Sequence, residues 1–176
     1  MIGWWFAELD FDGNGGLISR VVSTTDPLAN TTTFGYDEYG RTTRVVNPEG
    51  DEITIGYGPN GLPASRTHTP KAGSGLSPTN VHLSFDDCST PILCLRPTSY
   101  TDARGAVTDY TYDAAGNLLT ATGPAPTAGA ARPQTRYVWA QRYAWYRQNG
   151  ASSITRAATP VWVQVEQSQC MTGATC

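Results

Sequence analysis

Asn30 to Tyr57, NTTTFGYDEYGRTTRVVNPEGDEITIGY, decides how the rest of the chain is read, because it holds one complete repeating unit and the start of the next. Thr32, Phe34 and Tyr36 alternate as the side chains of a half-buried strand do. Asp37-Glu38-Tyr39-Gly40 then carries turn chemistry: Asp at the first position accepts backbone hydrogen bonds, and Gly at the fourth tolerates the positive φ that often follows a type I turn. Arg41 to Val46, rich in Thr and Val, reads as the return strand. Asn47-Pro48-Glu49-Gly50 is a second turn of the same chemistry, with Pro48 presetting φ at its second position. Ile53, Ile55 and Tyr57 alternate again, and Gly58-Pro59-Asn60-Gly61 repeats the turn. Strand, turn, strand, turn thus occupies 21 residues from Tyr36 to Tyr57.

The unit recurs along the chain. An aromatic residue stands four positions before a Gly in Phe11-Asp12-Gly13-Asn14-Gly15, at Tyr36-Asp37 before Gly40, at Tyr57 before Gly61, and at Tyr112-Asp113 before Gly116. The second turn recurs in register: Asp26-Pro27, Asn47-Pro48 and Asp102-Ala103 each lie ten residues before an aromatic, and Asp102 opens a turn that ends at Gly105. Repetition of this kind changes what every other motif means, so it is settled first. The residues alone predict an all-β array of antiparallel hairpins with ten or more short strands. One hairpin is marginal in water, and stacked neighbours supply the missing burial.

The pattern D-P-x-G-x-x-T-x-Y-x-Y-D-x-x-G-R/N-L resembles the tyrosine-aspartate (YD) repeat of bacterial Rhs proteins, a repeat found also in the shells of insecticidal toxin complexes and in teneurins. Asp102 to Leu118, DARGAVTDYTYDAAGNL, is the nearest match, while Asn47 to Gly61 lacks the Asp after Tyr57. The resemblance covers roughly residues 10 to 69 and 96 to 139. In that family the repeats build a β-sheet that spirals into a hollow shell, usually around a C-terminal toxin. The resemblance therefore implies a curved or spiralling sheet acting as a structural segment of a toxin shell. It also implies a secreted or cell-surface location, and as partners the remaining repeats of a longer parent chain and its toxin cargo. No match to the family's Asp-Pro self-cleavage motif with its Trp is found.

Four segments follow. Residues 1–69 carry repeat hairpins, 70–97 an inserted loop with a Cys pair, 98–139 further hairpins with a Pro/Gly/Ala loop at 123–133, and 140–176 degenerate aromatic-rich strands with a second Cys pair. Met1 to Ala7 is apolar, but it lacks a basic n-region and runs into Glu8 and Asp10, so it is a poor signal peptide. It reads as an edge strand or the stub of a preceding repeat, which makes the chain a piece of something longer. The loop at 123–133 reads as a mobile surface segment. Phe11 to Tyr36 spans 25 residues, four more than the next unit, and a longer strand or a bulge would absorb them.

Composition agrees with strands and turns. Of 176 residues, 15% are charged, against about a quarter in ordinary globular chains. The net charge is −3 with no Lys/Arg cluster, which points away from nucleic acid, and no apolar run approaches the length of a membrane span.

Sharper chemistry finds little footing. Asp10, Asp12 and Asn14, followed by Gly15, imitate the opening of a calcium loop, but its twelfth position is Val21 in place of a bidentate Glu. Cys88 and Cys94 bound a short loop, and Cys170 and Cys176 repeat the spacing. Two equal pairs suggest local disulfides in an exported protein; free thiols and a zinc site, which usually needs closer CxxC spacing, are the alternatives. His68 and His82 belong to no recognised catalytic motif, and Asp86-Asp87 on a strand would point to opposite faces. The chain reads as a non-enzyme without a cofactor. Tyr137, Trp139, Tyr143, Trp145, Tyr146 and Trp162 crowd the last part of the chain. They read as sheet packing, with a carbohydrate platform as the rival, so an extracellular adhesion module binding cell-surface glycan is the alternative function.

Overall fold

The computed structural model describes residues 4–11, 17–150 and 152–170. The protein is all-β: among the described residues the only helical element is a 3-10 turn at Leu93–Leu95. Contacts divide the chain into two units, residues 1–85 with 100–106 and residues 86–99 with 107–176.

In the first unit the strands follow one another as β1 (Trp4–Phe11), β2 (Leu17–Thr25), β3 (Thr31–Tyr36), β4 (Thr42–Val46), β5 (Glu52–Tyr57), β6 (Pro63–Thr69), β7 (Thr79–Ser84) and β8 (Ser99–Thr101), each beside its sequence neighbour. Pairing from β1 through β7 is antiparallel at every step. This order is the one that tight turns enforce, since a short loop can join only antiparallel neighbours. The longer first interval is taken up by β2, nine residues against five in β4, and its pairing with β1 slips by one residue, Phe6 facing Ser23 and Ala7 facing Val21. Beyond β7, residues 85–87 leave the ladder, so Asp86 and Asp87 do not lie on a strand. Asp86 instead accepts from the Thr98 hydroxyl at 3.0 Å, and Asp87 accepts from the amide and hydroxyl of Ser89.

In the second unit β9 (Val107–Tyr112), β10 (Leu118–Thr122), β11 (Gln134–Arg142) and β14 (Val161–Cys170) form an antiparallel run. Between β11 and β14 a small arm is made by β12 (Trp145–Tyr146) and β13 (Thr155–Arg156).

Each run is a single layer. Among the described residues only Leu93 and Cys170 are buried apolar side chains, and most strand residues are half-exposed. A two-layer domain hides one face of each sheet, and the described residues of this chain do not.

Candidate functional site: the repeated turns and their seals

Six turns, at 26–29, 37–40, 47–50, 58–61, 102–105 and 113–116, share one hydrogen-bond pattern. The first residue's amide donates to the carbonyl just past the turn, and the fourth residue's amide donates back to the first residue's carbonyl. This is a type I turn followed by a left-handed residue, a common three-residue hairpin connection. The fourth residue has φ near +80° in five of them, Gly40 and Gly116 included, while Ala29 takes the same role at φ +66°.

An aspartate in the first position satisfies the turn's remaining donors. Oδ1 of Asp26, Asp37, Asp102 and Asp113 each accepts two backbone amides, from the residues two and four places on, at 2.8 to 3.0 Å. Oδ2 then takes a side chain: Asn30 on Asp26, the Arg41 guanidinium at 2.7 Å on Asp37, and Asn117 on Asp113. These bonds favour the charged form and hold all four carboxyls below the ordinary value of 3.8. For Asp26 the Asn30 side chain contributes most, and for Asp102 the Ala106 amide does. For Asp37 and Asp113 desolvation is the largest single influence and pushes upward, but their several hydrogen bonds together outweigh it. Two turns depart from the pattern. Asn47 donates its side-chain amide to Asp51, whose Oδ2 also meets His68 Nε2 at 3.0 Å. Where Gly58 stands first, Asn60 Oδ1 accepts from Leu62 instead, at 3.1 Å.

The tyrosine before the turn has a separate task. Tyr36 donates its hydroxyl to the Val21 carbonyl (2.7 Å), Tyr57 to Thr42 (2.9 Å) and Tyr112 to Pro97 (3.0 Å), each fifteen residues earlier. A register shift accompanies every one. Gly35 faces Arg44 but Tyr36 faces Thr42, and the same one-residue slip occurs at Gly56/Tyr57 and opposite Tyr112. The bulge re-aims the ring from its own hairpin toward the preceding strand. Close approach at the slip also accounts for two glycines: a Cβ on Gly35 would lie 3.1 Å from the Arg44 Cβ, and one on Gly56 would collide with Ser65 Oγ.

An arginine covers the seal. Arg20 lies over the Tyr36 ring at 5.5 Å and donates to the Asp37 carbonyl, while Arg41 lies over Tyr57 at 4.3 Å and over Tyr39 at 4.9 Å. At Gly40 and Gly116 these guanidinium groups crowd the space where the turn glycine would carry a Cβ, and at Gly61 the arginine stands at ordinary contact distance. An added Cβ would lie 2.7 Å from Arg20 at Gly40, 3.6 Å from Arg41 at Gly61 and 3.3 Å from Arg96 at Gly116. Each of these arginines precedes its glycine by twenty residues. That fixed interval is the one trace of these arginines' role that the sequence carries.

Trp139 takes the same part where the Tyr pattern fades. Its indole Nε1 donates to the Leu118 carbonyl at 2.7 Å, two residues past Gly116, as Thr42 is two residues past Gly40. The interval grows to twenty-one residues because the loop at 123–133 intervenes. That loop is tied at its base. Arg132 donates to Asp109 Oδ2 and to the carbonyls of Val107, Thr122 and Gly123, so only the segment before it stands clear.

Cys88 and Cys94 form a disulfide with Cα atoms 4.3 Å apart. Ile92 of this small loop packs beside the 113–116 turn, where a Cβ on Gly116 would lie 3.0 Å from it. Burial, the largest influence there, pushes the Tyr112 phenol upward. Cys170 is buried and disulfide-bonded; Cys176 lies outside the described residues, as do Asp12 and Gly15 of the calcium-like stretch. Among the described residues no cluster of three or more His, Cys, Asp or Glu side chains is placed to hold a metal ion. The six late aromatics differ in exposure: Tyr137 and Trp139 are half-buried on β11, while Tyr143, Trp145, Tyr146 and Trp162 are exposed. Among the described residues no helix is long and apolar enough to cross a membrane.

Two stretches of the chain, 19–52 and 95–128, match the family model for the RHS repeat. They contain the turns at 26–29, 37–40, 47–50, 102–105 and 113–116, and the seals of Tyr36 and Tyr112. No curated protein matches the chain.

Proposed function

This is a structural chain built on RHS repeats, and from that premise we propose that it is a segment of the wall of an exported toxin shell, enclosing a polypeptide cargo carried by the same parent protein. The observation that carries the reading is the single-layer sheet: among the described residues almost nothing is buried, yet four strands are each tied to an earlier segment by a Tyr or Trp hydrogen bond, at Tyr36, Tyr57, Tyr112 and Trp139. Such a sheet resists bending apart along its length while leaving both faces available. A wall has that use for it, one face toward a cargo and the other toward solvent.

The test is to read the coding frame on both sides of these codons and express the continuous product. More repeats leading into an unrelated C-terminal segment, protected from protease only while the repeats are present, support the wall. A frame without further repeats, or a C-terminal segment cut equally fast with and without them, overturns it.

A second reading rests on the exposed aromatics of the arm. Trp145 is 66% exposed, and Arg156 lies 4.2 Å over the neighbouring Tyr143 ring, an arrangement that suits stacking against a sugar. A glycan array decides it: saturable binding lost in Trp145→Ala supports an adhesion module, and no signal above background removes it.

A further inference from the structure

We infer that Asn149 is a site of spontaneous deamidation, while Asn60, which has the same neighbour in sequence, is protected by the fold. Both are followed by glycine, Gly150 and Gly61, so neither backbone nitrogen is shielded by a side chain. A third such pair, Asn14-Gly15, lies outside the described residues.

The chemistry is an intramolecular acyl transfer. The backbone nitrogen of the glycine gives up its proton and attacks the asparagine side-chain carbonyl; a C–N bond forms, the side-chain amide leaves as ammonia, and a five-membered succinimide remains. Water then opens the ring at either carbonyl, giving aspartate or isoaspartate. Two conditions set the rate: the glycine amide must be free to lose its proton, and the asparagine side chain must be free to rotate onto it.

The two positions differ in both. Gly61 donates its N–H to the Gly58 carbonyl at 2.9 Å, and the Asn60 carbonyl oxygen is held by the Leu62 amide at 3.1 Å. A hydrogen-bonded amide is harder to deprotonate, and the held side chain is restrained from closing the ring. Asn149 and Gly150 lie at the exposed end of the arm between β12 and β13, and no hydrogen bond engages either of them among the described residues. The arm itself rests on two-residue strands, too short to impose order on its tip. Conversion would add one negative charge to the chain's −3, and the isoaspartate product would add a methylene to the backbone of the turn.

The experiment incubates the whole chain at mildly alkaline pH and follows the tryptic peptides 148–156 and 45–66 by mass spectrometry, with a parallel sample in denaturant. In the folded chain the Asn149 peptide should gain one mass unit at least about tenfold faster than the Asn60 peptide, because Asn60 must first open its turn. In denaturant the two should convert at similar rates. Gly150→Ala should slow the first and leave the second unchanged. Equal rates in the folded chain, or conversion of Asn60 alone, would overturn the inference, and so would a folded Asn149 slower than the denatured one by as much as Asn60 is.

Discussion

Two kinds of turn alternate along this chain, and they are built alike but loaded differently. Those at 37–40, 58–61 and 113–116 follow an aromatic seal and sit beside a bulge, with an arginine from twenty residues earlier near the glycine, tightly at Gly40 and Gly116 and in ordinary contact at Gly61. Those at 26–29, 47–50 and 102–105 have the same backbone bonds with open space or a loose neighbour at the fourth residue. Nothing lies within 4 Å of a Cβ placed on Gly105, and one on Gly50 would meet only Lys71 at 3.8 Å. In this second class Ala29 stands where the others have glycine. Gly50, Gly61 and Gly105 need glycine for the backbone angle alone, whereas Gly40 and Gly116 need it for the angle and for room.

The comparison breaks most sharply at the glycines. Gly40→Val should lower unfolding free energy by about 3 kcal/mol, from left-handed strain together with displacement of Arg20, while Gly105→Val should cost roughly half as much. Urea melts of the two variants measure it, and equal losses would remove the distinction between the classes. Next in size is the seal. Tyr112→Phe keeps the ring but leaves the Pro97 carbonyl without its donor, and should cost about 1 kcal/mol in the same melts.

Ala29→Gly runs the other way. Relief of the left-handed strain should exceed the entropy lost by freeing the unfolded chain, for a net gain of about 0.5 kcal/mol; a loss would show that φ +66° costs this alanine nothing. The smallest effect per residue is acid sensitivity. Asp26, Asp37, Asp102 and Asp113 titrate lower when folded than the usual 3.8, so each contributes stability that is complete above that value. It is lost as pH falls through the lower folded value. Melting temperature should therefore stay level from pH 7 to about 5 and decline below about 4, less so in the Asp113→Asn variant.

The hairpin array was legible because its signals are local. An alternating Phe34 and Tyr36, then Asp37 and Gly40 at fixed spacing, name a strand and a turn within a dozen residues. What covers the turns was not legible in the same way. Arg41 meets Tyr57 only after the chain has gone out along one strand and back along another, so sixteen residues separate partners that touch. Trp139 was harder still, since the inserted loop altered its interval and an indole replaced the phenol. The late aromatics read as sheet packing, but the chain leaves the sheet after Arg142 and makes a separate arm, so Tyr143 to Tyr146 have no place in the alternation of β11.

Arg41 binds Asp37 of its own turn and lies over Tyr57 of the next. Ownership of the seal is therefore divided between neighbours, the 37–40 repeat lending Arg41 to its successor and borrowing Arg20 from its predecessor. For a gene that grows or shrinks by duplicating segments, this makes the position of the break irrelevant and its length decisive. Within residues 20–57 a cut anywhere in the period, if it adds or removes one whole period, returns a seal tyrosine to an arginine at the right distance, and a cut of any other length leaves a ring uncovered at the junction.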